Sequence, residues 1–142
     1  MWRKFKPHGY GKEWIGKRLM YEGEFVEGRK EGKGRHWWHT HEGERGLEYE
    51  GEFRSNIMEG KGWLTWSDGR EYIGDFTNNM KDGFGEFKWP GERAYRGFWR
   101  EGRQHGFGVY SELGVEERGE WEEGKLLRWL AGENALLSKS ML

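Results

Sequence analysis

Three histidines, His36, His39 and His41, stand in an H-x-x-H-x-H pattern, with Glu42 and Glu44 just beyond. Imidazole and carboxylate are the donors a zinc site uses. On a regular strand His39 and His41 share one side and His36 falls opposite. No fourth ligand is evident, so the cluster reads as a solvated loop and no metal is expected. Gly32-Lys33-Gly34 and Gly60-Lys61-Gly62 invite a phosphate cradle. Such a loop needs G-x-x-x-x-G-K-[ST] between a strand and a helix, and no stretch supplies it. Acid–base catalysis needs carboxylates gathered in a cleft, whereas Glu24, Glu52 and Asp75 recur at equivalent places along the chain. The few serines lack a nucleophile-elbow setting. With no cysteine there is no thiolate ligand, disulfide or thiol nucleophile. The chain therefore reads as non-enzymatic and without cofactor. Basic residues among aromatics can hold single strands by stacking. Acidic residues interleave equally here and the net charge is −1, so nucleic acid is not expected.

The elements that carry these residues repeat. Tyr72 opens a Y-x-G-x-F run, followed by a polar turn, Gly83-Phe84-Gly85, then Phe87-Lys88-Trp89 and a turn at Pro90-Gly91. The pattern restarts at Tyr95, and the same opener stands at Tyr49 and Tyr21. The G-x-G pairs begin at Gly9, Gly32, Gly60, Gly83 and Gly106, so the period is 23 residues with one longer step of 28. A fixed period in this range marks a repeat architecture. The sequence divides into a basic-aromatic lead (1–8), an array (9–124) and a tail (125–142). Within the array lie a half repeat (9–20), repeats at 21–48, 49–71, 72–94 and 95–116, and a partial unit at 117–124. The extra residues of the longer step fall around His39 to Gly46, where a unit-specific contact is expected. Glu117 replaces the opener tyrosine in the last unit and marks its end.

Ten Trp, eight Phe and six Tyr offset a charged fraction of 35%. Each aromatic buries roughly 150–250 Å² when packed, so a dozen of them can drive folding. In each opener Tyr, Gly and Phe alternate and share one face, as do the second strand's glycines and aromatics. One hairpin per unit, stacked side by side, predicts an elongated, twisted, single-layer antiparallel sheet with two faces. A single layer cannot cover both faces, and exposed apolar patches mark binding sites. The candidates for a groove that grips a partner are Trp38, Trp66, Trp89 and Trp99, with Tyr49, Tyr72, Tyr95, Phe53 and Phe76.

The ends differ from the middle. Residues 1–20 carry Arg3, Lys4, Lys6, Lys12, Lys17 and Arg18 against Glu13 alone, and residues 111–124 are rich in Glu. This polarity suits end-on docking. Trp2, Arg3, Lys4, Phe5 and Lys6 are candidates for docking or for an anionic lipid surface. The tail, with Leu126, Leu127, Trp129 and Leu130, reads as a short C-terminal helix that caps the array or docks a partner. No apolar run approaches a membrane span, the start lacks a signal-peptide core, and the lack of cysteine fits a reducing compartment.

The units Y-x-G-[ED]-[FW]-x-x-[GN]-x-x-x-G-x-G resemble MORN repeats, from about Gly9 to Gly124. Asn56 and Asn79 depart from the mid-unit Gly. The resemblance implies an all-β rod of stacked hairpins with an aromatic groove. It also implies a scaffold or adaptor that binds protein partners in a cytoskeletal, ciliary or organellar assembly, in some relatives as a homodimer. Phospholipid binding is the family's older proposal and the alternative here. The implied location is the cytoplasm, its cytoskeleton or a cilium, with an organelle left open.

Overall fold

The computed structural model of the chain describes residues 2–3 and 6–130, with side chains from Lys6 onward. Every element among the described residues is a strand. A short pair, β1 (Trp2–Arg3) and β2 (Lys6–Pro7), precedes β3 (Gly9–Ile15), β4 (Arg18–Val26), β5 (Arg29–His39) and β6 (Arg45–Arg54). Then follow β7 (Ile57–Trp66), β8 (Glu71–Thr77), β9 (Met80–Trp89), β10 (Arg93–Arg100), β11 (Arg103–Glu112), β12 (Val115–Glu122) and β13 (Lys125–Trp129). Strands β3 to β13 form one 11-stranded antiparallel sheet in which each strand pairs only with its neighbours in sequence. At about 4.8 Å per strand the sheet runs roughly 48 Å.

Tight turns set the hairpins. Glu27-Gly28, Ser55-Asn56, Asn78-Asn79, Glu101-Gly102 and Glu123-Gly124 all have positive φ at both residues. That is the two-residue type I′ turn, whose twist matches paired strands. Asn56 and Asn79 adopt φ 70 where the other turns have Gly. Successive turns are stapled together, because Asn56 N–H donates to the Lys30 carbonyl (3.0 Å) and Asn79 N–H to that of Met58 (3.1 Å). Gly28 donates likewise to Pro7 (2.8 Å). Trp2 pairs with Pro7 as Phe25 pairs with Lys30 and Phe53 with Met58. β1 and β2 thus pair in the register that Phe25–Val26 keeps with Arg29–Lys30.

A line of glycines crosses the sheet. Gly11, Gly23, Gly34, Gly51, Gly62, Gly74, Gly85, Gly97, Gly108 and Gly119 pair in register, strand after strand. Within each of the four complete units the register slips just beyond this line, between Gly23 and Phe25 and at the equivalent places. Such bulges bend a strand and sharpen its twist. On a straight strand Tyr21 and Phe25 would stand about 13 Å apart. Their ring centroids are 5.0 Å apart, so the strand curls over the glycine between them.

The core is the ladder this curl creates. Each opener tyrosine meets the Phe or Trp of its own unit and of the next edge-on. Tyr49 lies 5.1 Å from both Phe53 and Phe76, and Tyr72 lies 5.2 Å from Phe76 and 5.4 Å from Trp99. Tyr95 continues to Trp99 and Trp121. Edge-to-face pairs add about 0.5–1.5 kcal/mol each beyond their buried area. Tyr21, Tyr49, Tyr72 and Tyr95 are wholly buried. Their hydroxyls donate to the backbone carbonyls of Glu24, Glu52, Asp75 and Phe98 at 2.8–3.0 Å, which satisfies the phenol and pins the bulge.

The expected C-terminal helix is corrected over its first turn and more. Lys125–Trp129 is strand β13, paired with β12 from the Glu123-Gly124 turn. The spacing of Leu126, Leu127 and Leu130 suits a helix face. However, the I′ turn returns the chain alongside β12, where its backbone groups find partners at once. Trp129 packs 5.9 Å from Trp121, and Leu130 N–H donates to the Arg118 carbonyl (2.9 Å). The rest of the tail expectation, from residue 131 on, lies outside the described residues.

Candidate binding groove

The curl gives the sheet an inner face, which carries the ladder, and an outer face. Inner-face side chains beyond the tyrosines line a groove. Trp38, Trp66 and Trp89 stand there half-buried, packed against the core with one side open. Trp66 lies 5.4 Å from Phe87, which lies 4.5 Å from Trp89. Further along, Trp89, Arg93, Gln104, Tyr110, Trp121, Leu126 and Trp129 line an open pocket of about 300 Å³. The other expected groove residues are placed differently. Tyr49, Tyr72 and Tyr95 have no exposed surface, and Phe53, Phe76 and Trp99 are buried to within a few per cent. Trp99 takes the ladder position of Phe76, with its indole N–H donating to the Gly85 carbonyl at 3.1 Å. These six lie beneath the groove, and the three half-buried tryptophans line its open side.

Lys81 stands in the groove floor and was not singled out by the sequence pattern. Its Nζ lies 5.3 Å from the ring of Trp99, 5.7 Å from Phe87, 5.8 Å from Tyr72 and 5.9 Å from Trp66. Cations over aromatic faces within about 6 Å are held by the ring quadrupole. Arg70 stacks on Trp66 at 5.0 Å and Arg93 on Trp89 at 4.5 Å. Burial, then the nearby Arg70 charge, pushes the Lys81 ammonium below the usual lysine range. Burial, then Glu24, Glu52 or Asp75, pushes the phenols of Tyr21, Tyr49 and Tyr72 above their usual range; burial raises Tyr95 to about 12.

The histidines do not converge. His36 faces the groove 4.4 Å from Trp38. Burial, followed by the Lys30 charge, lowers its imidazole to about 4. His39 ends β5 and His41 is exposed in the following loop. Among the described residues no three His, Asp or Glu side chains are gathered as metal ligands. Trp37 of β5 is 3% exposed, with Arg45 of β6 stacked on it at 4.5 Å.

The outer face alternates ion pairs with exposed apolar side chains, among them Tyr10, Trp63 and Ile73, which with Arg35, Glu50 and Lys61 line an open hollow of about 670 Å³. Arg35 meets Glu50 at 2.9 Å, Lys12 meets Glu22 at 3.6 Å, and Lys61 bonds to Asp75. Such surface pairs stabilise by about 0–1 kcal/mol each. The carboxylates of Glu24, Glu52 and Asp75 also accept the backbone N–H of Lys33, Lys61 and Phe84 at the bulge. In the next unit Phe98 stands in that place, so Phe84, Phe98 and Phe107 lie side by side, about half exposed.

At the ends, the backbone of Trp2 and Arg3 is strand β1, and Lys6 is exposed beside Gly28. Lys4 and Phe5 lie outside the described residues. At the other end Leu126 and Leu127 are 41% and 47% exposed, while Trp129 packs on the core. Glu117, in the tyrosine position, is 6% exposed and its Oε1 has no hydrogen-bond partner among the described residues.

An open meander of bulged hairpins tied by buried tyrosines defines a β-repeat protein with a solvent-facing aromatic groove. The family model of the MORN repeat matches residues 2–16, 21–42, 49–69, 72–91 and 95–111, and the chain belongs to that family. No curated protein matches it. MORN repeats are often involved in protein or membrane interaction, and the family is generally non-enzymatic.

Proposed function

We propose that this protein is a non-enzymatic scaffold or adaptor whose inner groove captures a segment of a partner protein within a larger cytoskeletal, ciliary or organellar assembly. One observation carries the reading. The inner face of the single-layer sheet leaves Trp38, Trp66 and Trp89 half-buried in a row, with no second layer over them among the described residues. Half-buried tryptophans on a rigid frame act as anchors, because docking them costs little side-chain entropy and removes much apolar surface from water. The ladder beneath supplies that rigidity.

The test is recovery of partners from native extract at low and high salt, beside a Trp66→Ala/Trp89→Ala variant shown to fold. A discrete protein set that survives salt and disappears with the variant supports the groove. The phospholipid alternative draws on the exposed Phe84, Phe98 and Phe107 and on the basic start of the chain. It predicts binding to phosphatidylserine vesicles that high salt weakens and that the Trp66/Trp89 change leaves intact. That outcome, without salt-resistant proteins, would replace the groove reading.

A further inference from the structure

Lys81 is an ion with no counter-charge among the described residues. Among the described residues no carboxylate lies within 4 Å of its Nζ, although the chain is full of such pairs elsewhere. Comparison between units shows why this matters. The residues paired opposite the opener Phe or Trp are Lys30, Met58, Lys81 and Gln104. Met58 and Gln104 show that packing at this place does not require a charge. Lys30 does carry one, 5.3 Å from the Tyr21 ring, and it has its acid, Glu13, at 3.5 Å on the preceding strand β3. The place of Glu13, two residues beyond the G-x-G pair, is taken ahead of Lys81 by Leu64, 7% exposed in the core. So the third unit keeps the boxed ammonium and replaces the internal carboxylate with a core leucine. Arg70, over the adjoining Trp66, has its own acid in Asp68 at 2.8 Å, which leaves Lys81 as the charge without a partner there among the described residues.

We propose that the segment held by the groove is acidic, and that one of its carboxylates sits on the Lys81 ammonium between Trp66 and Trp99 while its apolar side chains cover Trp66 and Trp89. This deepens the groove assignment and rests on it. An ammonium already partly stripped of water and fixed by four rings gives up little solvation when a carboxylate arrives. A charge-assisted hydrogen bond made there is stronger than its surface counterpart. The aromatic floor beside it fixes where the apolar neighbours of that carboxylate must lie, which sets a pattern rather than a bare charge.

A phage-displayed library of random peptides, panned on the full chain, tests this. Peptides recovered by the wild type are expected to carry Asp or Glu beside large apolar residues. A synthetic copy of one should lose about tenfold in affinity with Lys81→Met, since a hydrogen bond to a charged group contributes about that much. Binding should be largely kept with Lys81→Arg and lost with Trp66→Ala/Trp89→Ala. Methionine occupies the same place at Met58, so Lys81→Met is compatible with the fold. Peptides without acidic bias, or affinity unchanged by Lys81→Met yet lost with the tryptophan pair, would overturn the carboxylate and leave the groove standing. Peptides indifferent to both changes, or no enrichment at all, would overturn both.

Discussion

Gly74 has no room for a methyl group. A Cβ there would overlap the Gly85 Cα and lie 2.6 Å from the Phe84 carbonyl oxygen, and neither backbone can move without breaking the register. Gly74→Ala should therefore cost about 3 kcal/mol or more. Gly114, in a turn at φ 83, has nothing within 4 Å of such a Cβ. Gly114→Ala should cost only the left-handed conformation, about 1–2 kcal/mol. Urea midpoints of the two variants check the contrast. The sequence pattern showed where the glycines recur and that they share a face with the aromatics. It could not show that ten of them align across the sheet, because alignment depends on bulges that carry no composition of their own. His36 offers a second test. Its folded pKa of about 4 lies below the unfolded 6.5, so its contribution to stability is complete above pH 6.5 and is lost as pH falls toward 4. His36→Leu, which copies Leu64 at the equivalent place, should flatten the dependence of melting temperature on pH across that window.

At the scale of the hairpin, the carboxylate that caps the bulge is the variable part. Asp75 accepts from the Phe84 N–H at 3.0 Å and pairs with Lys61. Asp75→Ala leaves that N–H uncapped and should lower stability by about 1 kcal/mol in thermal or urea unfolding. Phe98 already lacks this cap, and the chain holds the same curl there through Tyr95 and Trp99. The bulge is thus secured twice, once from each face. Openers, turns and the period were legible because each unit repeats the same side chains at the same offsets. Strand β13 was not, because leucines at helical spacing satisfy a local pattern that the Glu123-Gly124 turn overrules. Lys81 escaped notice for a related reason. Its significance appears only when four rings from strands β7 to β10 close around it.

Across the whole molecule the tyrosine ladder links stability to alkaline pH. Four phenols are buried in their neutral form, with folded pKa values raised above the unfolded value of 10, to about 12 for Tyr95. Above pH 10 the unfolded chain sheds these protons while the folded one keeps them. The stability they confer is therefore complete below pH 10 and falls as pH rises through the folded values. Cooperative unfolding, with the phenolate absorbance of four tyrosines appearing in the same step, is the expected result; ionisation of more than Tyr10 and Tyr110, the two outside the ladder, while the strands persist would contradict the burial. The sheet is also open and strictly sequential, so no closure condition fixes its number of strands. Each 23-residue unit adds two strand spacings, about 10 Å, to the distance between any two points on different units. Chain length is thereby converted into a linear distance in fixed increments. A molecule built this way can set the separation between the things it holds, and insertion or deletion of one unit would reset that separation by one step.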